Sequence, residues 1–386
     1  MTTTAAAHTD WRQHWFEIED ATYFNVAGQG PMPKTALQAV QNALEWKKYP
    51  HRMPDHAYFE APNQVRQSIA KLIGGKKEEI ALTTGASTGA AAVAYGLEWR
   101  PGDEILVADG EFPLQYSTWT PMEEREGVKV CVAAQRERWM SADDFIAALT
   151  PRTKLVSASL VRFDDGSLLD AAKLSAACHA QDTLLLLDAS QSCGAIPLDV
   201  ASVGADFIVA SGYKWLLSPY GTGFFWIRGE LISKMRPGPF YWQAVEGANH
   251  FGSLVFPRPK AEVGAKRWDS AETASYFNLA GMNASLEFVL QIGPETIARH
   301  NHKLIDLLYS RLPKDRCVPT SPLRAAERGP YGCFAARTAE KTKELYARLR
   351  AENVIVSLRE GHLRVSPHLY NTERDIDRLI AIITYD

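Results

Sequence analysis

Cysteine is scarce in this sequence, and its spacing argues against two kinds of cross-linked structure. The 386-residue chain has five cysteines and no C-x-x-C pair. An odd, widely spaced set disfavours a disulfide framework, and the missing pair disfavours a structural zinc site. We therefore expect free thiols, no metal site and a cytoplasmic location. The cysteines are Cys131, Cys178, Cys193, Cys317 and Cys333.

Excess positive charge and long apolar runs are also missing. Together, 42 Lys and Arg against 45 Asp and Glu give a formal net charge of −3, which disfavours binding to a nucleic-acid backbone. Apolar runs such as 184–187 and 224–227 are far shorter than the roughly 18 residues that a membrane span needs. The N-terminus has no basic stretch followed by an apolar one, so we expect neither a signal peptide nor a membrane segment.

The chain has the composition of a globular protein, with 46% hydrophobic and 23% charged residues, and its first part has an α/β pattern. Short apolar runs alternate with amphipathic segments, including predicted helices over 86–97, 141–149 and 171–179. Several of the runs are apolar on both faces, as a sheet covered by helices requires. We expect a mainly parallel sheet. The predicted strands are 79–82, 104–108, 129–133, 154–160, 183–187, 206–210 and 223–227.

The pattern changes after residue 240 and predicts a second, smaller unit. Residues 237–260 are rich in Gly, Pro and aromatic residues, which indicates a long structured loop. A helix over 275–291 is broken at 292–294, and an α+β pattern follows. We expect a large domain over 21–285 and a small α+β domain formed by 1–20 and 286–386. The C-terminal pattern predicts helices over 294–312, 339–352 and 372–383, and strands over 331–336, 354–357 and 362–366.

Two predicted neighbouring strands each deliver a chemically useful side chain at their carboxyl end. Strand 183–187 is followed by Asp188, and strand 206–210 is followed by Ser211-Gly212-Tyr213-Lys214. Open α/β sheets bind ligands at this edge. Taken alone, Asp188 is more typical of a turn cap and Lys214 of a surface lysine, although the aromatic residues beside Lys214 favour a partly buried site.

A third segment supplies what a phosphate group needs. Strand 79–82 leads into Thr-Thr-Gly-Ala-Ser-Thr-Gly at 83–89 and then into a helix. Free amides and the positive end of the dipole at a helix start bind phosphate, although the same string would also make a plain N-cap. Together, the phosphate cradle, the acid and the lysine are the three contacts that pyridoxal phosphate requires.

At this point four ordered motifs make the chain resemble a known family, the class V aminotransferase and cysteine desulfurase-like group of fold-type I pyridoxal-phosphate enzymes. The resemblance spans nearly the whole chain, and it implies this fold and pyridoxal 5′-phosphate as cofactor. The motifs are Tyr23-Phe24-Asn25-Val26-Ala27-Gly28, Asp188-Ala189-Ser190-Gln191-Ser192, Ser211-Gly212-Tyr213-Lys214 and the segment from His362-Leu363-Arg364 to Thr372.

The resemblance also implies a role for each matching residue. Lys214 would hold the cofactor and move the Cα proton, and Asp188 would pair with the ring nitrogen. Arg364 would bind the substrate carboxylate in a bidentate pair, with Asn25 and Ala27 beside the substrate. The remaining cofactor contacts would be Gln191 to the ring hydroxyl, Ser211 with Ala86 and Ser87 to the phosphate, and Phe112 stacked on the ring, where a core phenylalanine is the alternative.

Departures from the desulfurase pattern place the chain nearer the kynureninase and epimerase branch. Desulfurases carry a nucleophilic cysteine shortly before the C-terminal arginine, and residues 354–363 contain none. Cys333 lies in an apolar run, where burial leaves a thiol inert. Desulfurases also usually have histidine at the positions of Phe112 and Tyr213. We expect no catalytic cysteine.

Some surroundings of the site stay open. The resemblance implies a homodimer with active sites near the interface, in which the neighbouring subunit contributes a phosphate contact from Arg267, Ser270 or Thr273. Arg359 is either a second substrate contact or a solvated arginine. The loop 237–260, with Tyr241, Trp242 and His250, would line the pocket or pack across the interface. His51, Arg52, His56 and Tyr58 would belong to the pocket or to the surface.

Our expectation is a homodimeric enzyme acting on an amino acid or a related primary amine, with aminotransfer as the first choice. The alternative is a β-lyase or a kynureninase-like hydrolase. A nicotinamide-dependent oxidoreductase would need G-x-G-x-x-G after its first strand, which residues 85–89 do not provide. A non-catalytic binding protein would have no chemical need for Lys214, Asp188 and Arg364 together.

Overall fold

The computed structural model describes residues 11–236, 238–272 and 275–385. Its strands are β1 (Thr22–Tyr23), β2 (Ile80–Thr83), β3 (Glu104–Ala108), β4 (Lys129–Ala133), β5 (Thr153–Ser159), β6 (Leu184–Asp188), β7 (Phe207–Ser211), β8 (Gly223–Ile227), β9 (Cys317–Pro319), β10 (Gly332–Ala336), β11 (Val354–Ile355), β12 (Ser357–Arg359) and β13 (His362–Val365). Its α-helices are α1 (Trp11–Trp15), α2 (Lys34–Lys48), α3 (Ala57–Ile73), α4 (Ala86–Gly96), α5 (Leu114–Ser117), α6 (Thr120–Glu126), α7 (Ala142–Ala148), α8 (Ala171–His179), α9 (Val200–Val203), α10 (Tyr276–Ile292), α11 (Pro294–Arg311), α12 (Ala339–Ala351) and α13 (Glu373–Thr384).

A seven-stranded sheet forms the centre of the molecule, in the order β2-β8-β7-β6-β5-β3-β4. The pairs from β7 to β4 are parallel, whereas β8 runs antiparallel to both β2 and β7. Most of its strands are buried along their length, as the apolar runs predict. The expected mixed, mainly parallel sheet is therefore confirmed.

Helices cover both faces of this sheet, and hydrophobic clusters lie on its two sides. The helix α4 packs on β7 and β8, and α10 packs against α2 and α3. Local sequence explains where these helices begin and end. The Asp170 carboxylate accepts a hydrogen bond from Lys173 N at the start of α8, and α3 ends at Gly74 in the left-handed conformation, both common helix ends.

A smaller antiparallel sheet, in the order β12-β13-β10-β9, forms the second unit. Its own hydrophobic cluster joins it to α11, α12 and α13. We call this unit the small domain. The fold class is confirmed, and the exact domain bounds at residues 20 and 285 stay a prediction, since residues 1–10 lie outside the described part of the chain.

One predicted strand pair is wrong in its detail. The expected strand over 354–357 is divided at Val356 into β11 and β12. The first piece pairs in parallel with β1, with Thr22 opposite Val354, and only the second pairs with β13. The partner of the first piece is therefore β1, a segment more than 300 positions away, which a pattern local to 354–366 cannot indicate. This pairing holds residues 22–25 against the small domain.

Candidate active site

Asp188 and Lys214 lie at the carboxyl edge of the large sheet, on adjacent strands. The strand β6 ends at Asp188, and β7 ends three residues before Lys214. Both side chains are buried, at 7% and 8% exposure. The Asp188 Oδ1 accepts a hydrogen bond from Ser190 N at 2.8 Å. The structure therefore brings together the acid and the lysine that the sequence placed on neighbouring strands.

The surroundings of Lys214 favour its neutral form. The pKa of Lys214 is lowered to about 8, mainly by burial and to a smaller extent by the charges of Arg364 and Arg359, while the charge of Asp188 opposes this effect. The ammonium nitrogen lies 5.5 Å from the centroid of the Phe112 ring and 5.7 Å from that of Tyr213. A lysine with a lowered pKa has a larger fraction of its amine unprotonated at neutral pH than an ordinary lysine, and only the unprotonated amine acts as a base or nucleophile.

The start of α4 lies beside the end of β7. The Ala86 amide donates a hydrogen bond to Ser211 Oγ at 3.2 Å, and Ser211 N donates to Ser190 Oγ at 3.0 Å. The next amides of the helix start have no intrahelical acceptor. A Cβ on Gly223 would come within 2.7 Å of the Gly85 Cα, so only glycine lets these backbones approach so closely. Ser87 is exposed beside this turn.

A small cavity adjoins the same helix start. Its volume is about 150 Å³, and Thr84, Thr222 and Ser270 are among its lining residues. Ser270 N donates a hydrogen bond to Leu82 O at 2.9 Å, so the end of β2 and the segment around Ser270 lie side by side. Thr273 lies outside the described residues.

Gln191 is already engaged at both ends of its amide. Its Nε2 donates to Ala27 O at 3.0 Å, and its Oε1 accepts from Trp215 Nε1 at 3.0 Å. Ala27 N donates to Ser366 Oγ at 3.1 Å. One N–H of Gln191 is left for the ring hydroxyl that the family resemblance implies. These bonds connect the N-terminal segment, the acid motif and the lysine motif.

Asn25 lies in the same segment and has an orphaned polar atom. It forms a parallel bridge with Ser366, and its buried Oδ1 has no hydrogen-bond partner among the described residues. Buried polar atoms are rarely left in this state. This oxygen therefore has capacity for a ligand or an ordered water molecule.

Arg364 is deeply buried on the small-domain side. It is 2% exposed, its Nε donates to Ser357 Oγ at 3.2 Å, and its Nη1 donates to Phe163 O at 2.8 Å. The guanidinium lies over the Tyr331 ring at 5.5 Å. Its field reaches Lys214, because it lowers the pKa of that amine. Arg364 and Lys214 thus belong to one electrostatic environment.

Phe112 lies over Lys214 and is 39% exposed. Its ring makes an edge contact with Phe163, with a centroid distance of 5.3 Å and an interplanar angle of 72°. Arg359 lies in β12 and is exposed. Its charge lowers the pKa of Lys214. Its Nη1 donates to Leu358 O.

The sequence reasoning missed three residues at the site. Ser190 holds both Asp188 and Ser211, although it stands inside the acid motif. Glu111 and Arg162 are buried at 7% and 6% exposure, in the loops before Phe112 and Phe163. Glu111 and Arg162 each lie three residues beyond the carboxyl end of a strand, β3 or β5, and this position is the signal that could have found them.

Several of the open candidates contact the aromatic loop and α3. Tyr58 packs edge-on against Phe251 at 5.8 Å, and Phe59 packs against Trp242 at 6.0 Å. Tyr241 Oη donates to Glu272. These contacts cover one side of α3. His51 lies against Tyr49 at 6.3 Å, and Arg52 stacks over the same ring.

The cysteines are free thiols, and the described residues contain neither a metal-ligand cluster nor a membrane-spanning helix. All five cysteines are free, and burial raises the pKa of Cys333 to about 12. Within the described ranges, no group of three or more His, Cys, Asp or Glu side chains could hold a metal ion. In those ranges no helix combines the length and the apolar character needed to cross a membrane.

Comparison with known proteins agrees with this geometry. The chain is 28% identical over 372 residues to isopenicillin N epimerase of Streptomyces clavuligerus, covering 92% of each protein. It is also 28% identical over 404 residues to a probable cysteine desulfurase of Ureaplasma parvum, covering 97% of this chain and 96% of the relative.

Solved structures share the fold. A lysine variant of C-DES, with glycine covalently linked to its PLP cofactor, has a TM-score of 0.88 at 23% identity, over 97% of this chain and 99% of the other. The cystine C-S lyase C-DES in complex with its product cysteine persulfide has a TM-score of 0.85 at 24% identity, over 95% of this chain and 98% of the other. The expected fold type is confirmed.

The family model for class-V aminotransferases matches residues 22–379, which include every motif discussed above. The expected cofactor, pyridoxal phosphate, is the one that this family binds, and it is thereby confirmed. The chain belongs to the class-V aminotransferase family of pyridoxal-phosphate enzymes.

Proposed function

We propose that this protein is an aminotransferase that acts on an α-amino acid, with Lys214 as its base. The observation that carries the proposal is the state of the Lys214 amine. It is buried, its pKa is lowered to about 8, and it lies below the Phe112 ring and beside the charge of Asp188. An amine in this state is suited both to hold a carbonyl cofactor and to move a proton.

The residues present fit the cofactor by their donor chemistry. The Asp188 carboxylate would hold a proton on the ring nitrogen, and Gln191 would donate to the ring hydroxyl. The helix start at Ala86 and Ser87, together with Ser211, would bind the phosphate. Phe112 would cover the ring. When bound, pyridoxal phosphate supplies the electron sink that stabilises negative charge at the substrate Cα.

On the substrate side, Arg364 would bind the α-carboxylate and fix the orientation of the Cα–H bond. The orphaned Asn25 Oδ1 and the neighbouring Ala27 backbone would lie beside the same group. Lys214 Nζ would then take the proton from Cα and, in aminotransfer, return it to a carbon of the cofactor. Burial of the amine excludes water from this transfer and keeps the proton between two defined atoms.

Aminotransfer is favoured because it requires one mobile base, and Lys214 supplies it. The relatives named isopenicillin N epimerase and probable cysteine desulfurase point to other reactions. Desulfuration requires an accessible thiolate, and Cys333 is buried with its pKa raised to about 12. Elimination from a substrate with a β-leaving group uses the same base, so a β-lyase is the second candidate.

A homodimer with active sites near the interface remains part of the proposal. It rests on the resemblance to the family, in which the neighbouring subunit contributes a phosphate contact. Light scattering of the purified holoprotein would measure the mass, and a monomer would contradict this part.

One assay separates the two candidate reactions. Purified holoprotein is incubated with single amino acids, with and without a 2-oxo acid acceptor, and amino product, oxo product and ammonia are measured. Aminotransfer predicts amino-group transfer that depends on the acceptor and releases no ammonia. Ammonia and an oxo acid formed without an acceptor would replace the aminotransferase by a lyase.

A further inference from the structure

A short hairpin follows β5 and lies between the candidate cofactor site and Arg364. It covers residues 160–169, with Val161 opposite Leu168 in an antiparallel bridge. Its first residue is tied to the acid strand, since Leu160 N donates to Asp188 O at 2.9 Å. At its tip Gly166 has a φ of 73°, and a Cβ there would come within 2.9 Å of the Tyr331 ring. We call it the 160–169 hairpin.

The tip of the 160–169 hairpin is held by the small domain. Four consecutive carbonyl oxygens, those of residues 162–165, each accept a hydrogen bond from a small-domain side chain. The donors are, in order, Tyr331 Oη, Arg364 Nη1 at 2.8 Å, Cys333 Sγ at 3.2 Å and Ser321 Oγ. Because the acceptors are backbone atoms, the hairpin tip must follow the position of Arg364 and its neighbours.

The side chain of Arg162 points from this hairpin towards the loop before Phe112. Its Nη1 donates to Asp109 O and its Nη2 to Gly110 O, each at 2.9 Å. The same guanidinium bonds the Asp164 carboxylate at 3.1 and 3.2 Å. A planar guanidinium can hold all these acceptors at once, and a lysine ammonium cannot reproduce the arrangement.

A second buried charge fixes the same loop. Glu111 accepts hydrogen bonds from Ser159 N at 3.1 Å, from Ser159 Oγ at 2.8 Å and from Phe112 N at 3.1 Å. Burial raises the pKa of Glu111, and the charge of Arg162 opposes this effect. Ser159 is opposite Asp188 in the β5–β6 register. The backbone of Phe112 is thus fixed to the strand end beside the acid.

We propose that Arg162 is a positioning residue, which fixes Phe112 relative to Arg364 through the 160–169 hairpin. The inference rests on the proposed function, in which Phe112 covers the cofactor and Arg364 binds the substrate carboxylate. Arg162 itself would contact neither the cofactor nor the substrate carboxylate. Arg162 keeps the distance between the Phe112 ring and the Arg364 guanidinium constant. A misplacement of about 1 Å in such a site costs roughly 100-fold in rate.

The test compares Arg162→Gln and Arg162→Lys with a matched control, Arg328→Gln. Arg328 is buried like Arg162, and its guanidinium likewise holds two carbonyl oxygens and one carboxylate. Its partners are Pro322 O at 3.1 Å, Leu323 O at 2.9 Å and Asp306 Oδ1 at 2.6 Å. The backbone of Arg328 forms a bridge with Ser167 of the 160–169 hairpin, and Arg328→Gln retains that backbone while it removes the guanidinium. The control therefore reproduces the loss of a buried arginine without touching the loop before Phe112.

Three quantities are measured on each variant: the affinity of the apoprotein for pyridoxal phosphate, the visible circular dichroism of the bound cofactor, and KM and kcat separately. Arg162→Gln is expected to weaken cofactor binding by about 10- to 100-fold, to change the visible dichroism and to raise KM. Arg162→Lys should recover only a small part of each loss. Arg328→Gln should lower the melting temperature and leave the affinity and the dichroism at wild-type values.

Affinity and dichroism in Arg162→Gln equal to those of Arg328→Gln would overturn the proposal. If Arg162→Gln does not fold, Asp164→Asn replaces it, because this change removes the ion pair and keeps both carbonyl contacts. It should shift the same quantities in the same direction by less than about tenfold, and no shift would overturn the proposal. Phe112→Leu identifies the failing step, since unchanged dichroism in that variant would mean that Phe112 does not cover the cofactor.

Discussion

Asp188 and Asp206 are two buried acids at opposite ends of the adjacent strands β6 and β7. Asp188 lies at the carboxyl end of β6, and Asp206 lies at the amino end of β7. Asp206 precedes β7 and is fully buried. Its carboxylate lies 2.8 Å from Arg228 Nη2 and 3.1 Å from His179 Nε2, and it accepts a hydrogen bond from Leu185 N at 2.7 Å. Asp188 accepts one hydrogen bond in the described part of the chain, from Ser190 N.

The difference distinguishes a structural charge from one available for chemistry. The protein places its own Arg228 and the backbone amide of Leu185 against the Asp206 carboxylate, as a buried charge in a stable core requires. Asp188 is nearly as buried, yet it keeps acceptor capacity at the ligand-binding edge. Lys214 resembles Asp188 in being buried without a close ion pair, and burial lowers the pKa of its amine to about 8. Perturbed groups of this kind gather at functional sites.

The largest effect that would sharpen this comparison is expected from Lys214→Ala. The variant should fold and lose turnover completely, because no other base then lies over the Cα–H bond. It should also lose the visible absorbance of bound cofactor after dialysis. Lys266→Ala is the matched control, since Lys266 is also partly buried, at 16% side-chain exposure, but pairs with Glu262. A borohydride-reducible adduct in Lys214→Ala would assign the cofactor to another lysine.

The second prediction exchanges the two acids separately. Asp188→Asn should keep its stability and lose about 1,000-fold in kcat, because the ring nitrogen loses its charged partner. Asp206→Asn should lose about 1–3 kcal/mol of unfolding free energy in urea titration, because it leaves buried donors poorly paired. Its kcat per folded molecule should match wild type. Equal kcat values for the two variants would abolish the distinction drawn here.

The third prediction uses the pKa of Lys214. Only the neutral amine attacks a carbonyl, so the rate of cofactor capture by the apoprotein should rise with pH and reach half its maximum near pH 8. Asp188 raises this pKa, so Asp188→Asn should move the midpoint to lower pH. Stopped-flow absorbance against pH measures it. A midpoint near the ordinary lysine value of 10.5 would show a hydrated amine.

The sequence was sufficient for those features that depend on strand order. Apolar runs bounded by Gly and Asp predicted β3, β4 and β8 at their observed bounds. The parallel pairing of β6 with β7 then places Asp188 near Lys214. Local periodicity and sheet topology together fix this edge, so no long-range information was needed.

Features that depend on distant contacts could not be predicted. The helices α2 and α3 were not predicted, although they pack against α10. The pairing of β1 with β11 joins residues more than 300 positions apart, and nothing local in Thr22–Tyr23 indicates it. The role of Arg162 could not be predicted either, because its guanidinium holds carbonyl oxygens of a loop about 50 residues earlier in the chain.

The smallest effect is expected from a substitution of Cys333. It tests whether a buried group takes part in the reaction merely because it lies near the site. Cys333 lies opposite Arg364 in the β10–β13 register, and its Sγ donates to Asp164 O at 3.2 Å. Arg364 favours the thiolate, but burial is the larger effect and raises the pKa to about 12, so the thiol stays protonated at neutral pH. Cys333→Ser keeps a donor for Asp164 O and removes the sulfur. We expect kcat and KM within about twofold of wild type, as for an isosteric change that preserves a hydrogen bond.

Mass spectrometry of the wild-type protein after incubation with cysteine should find no persulfide on Cys333. A stoichiometric persulfide there, together with sulfide release that Cys333→Ser abolishes, would replace the aminotransferase by a desulfurase.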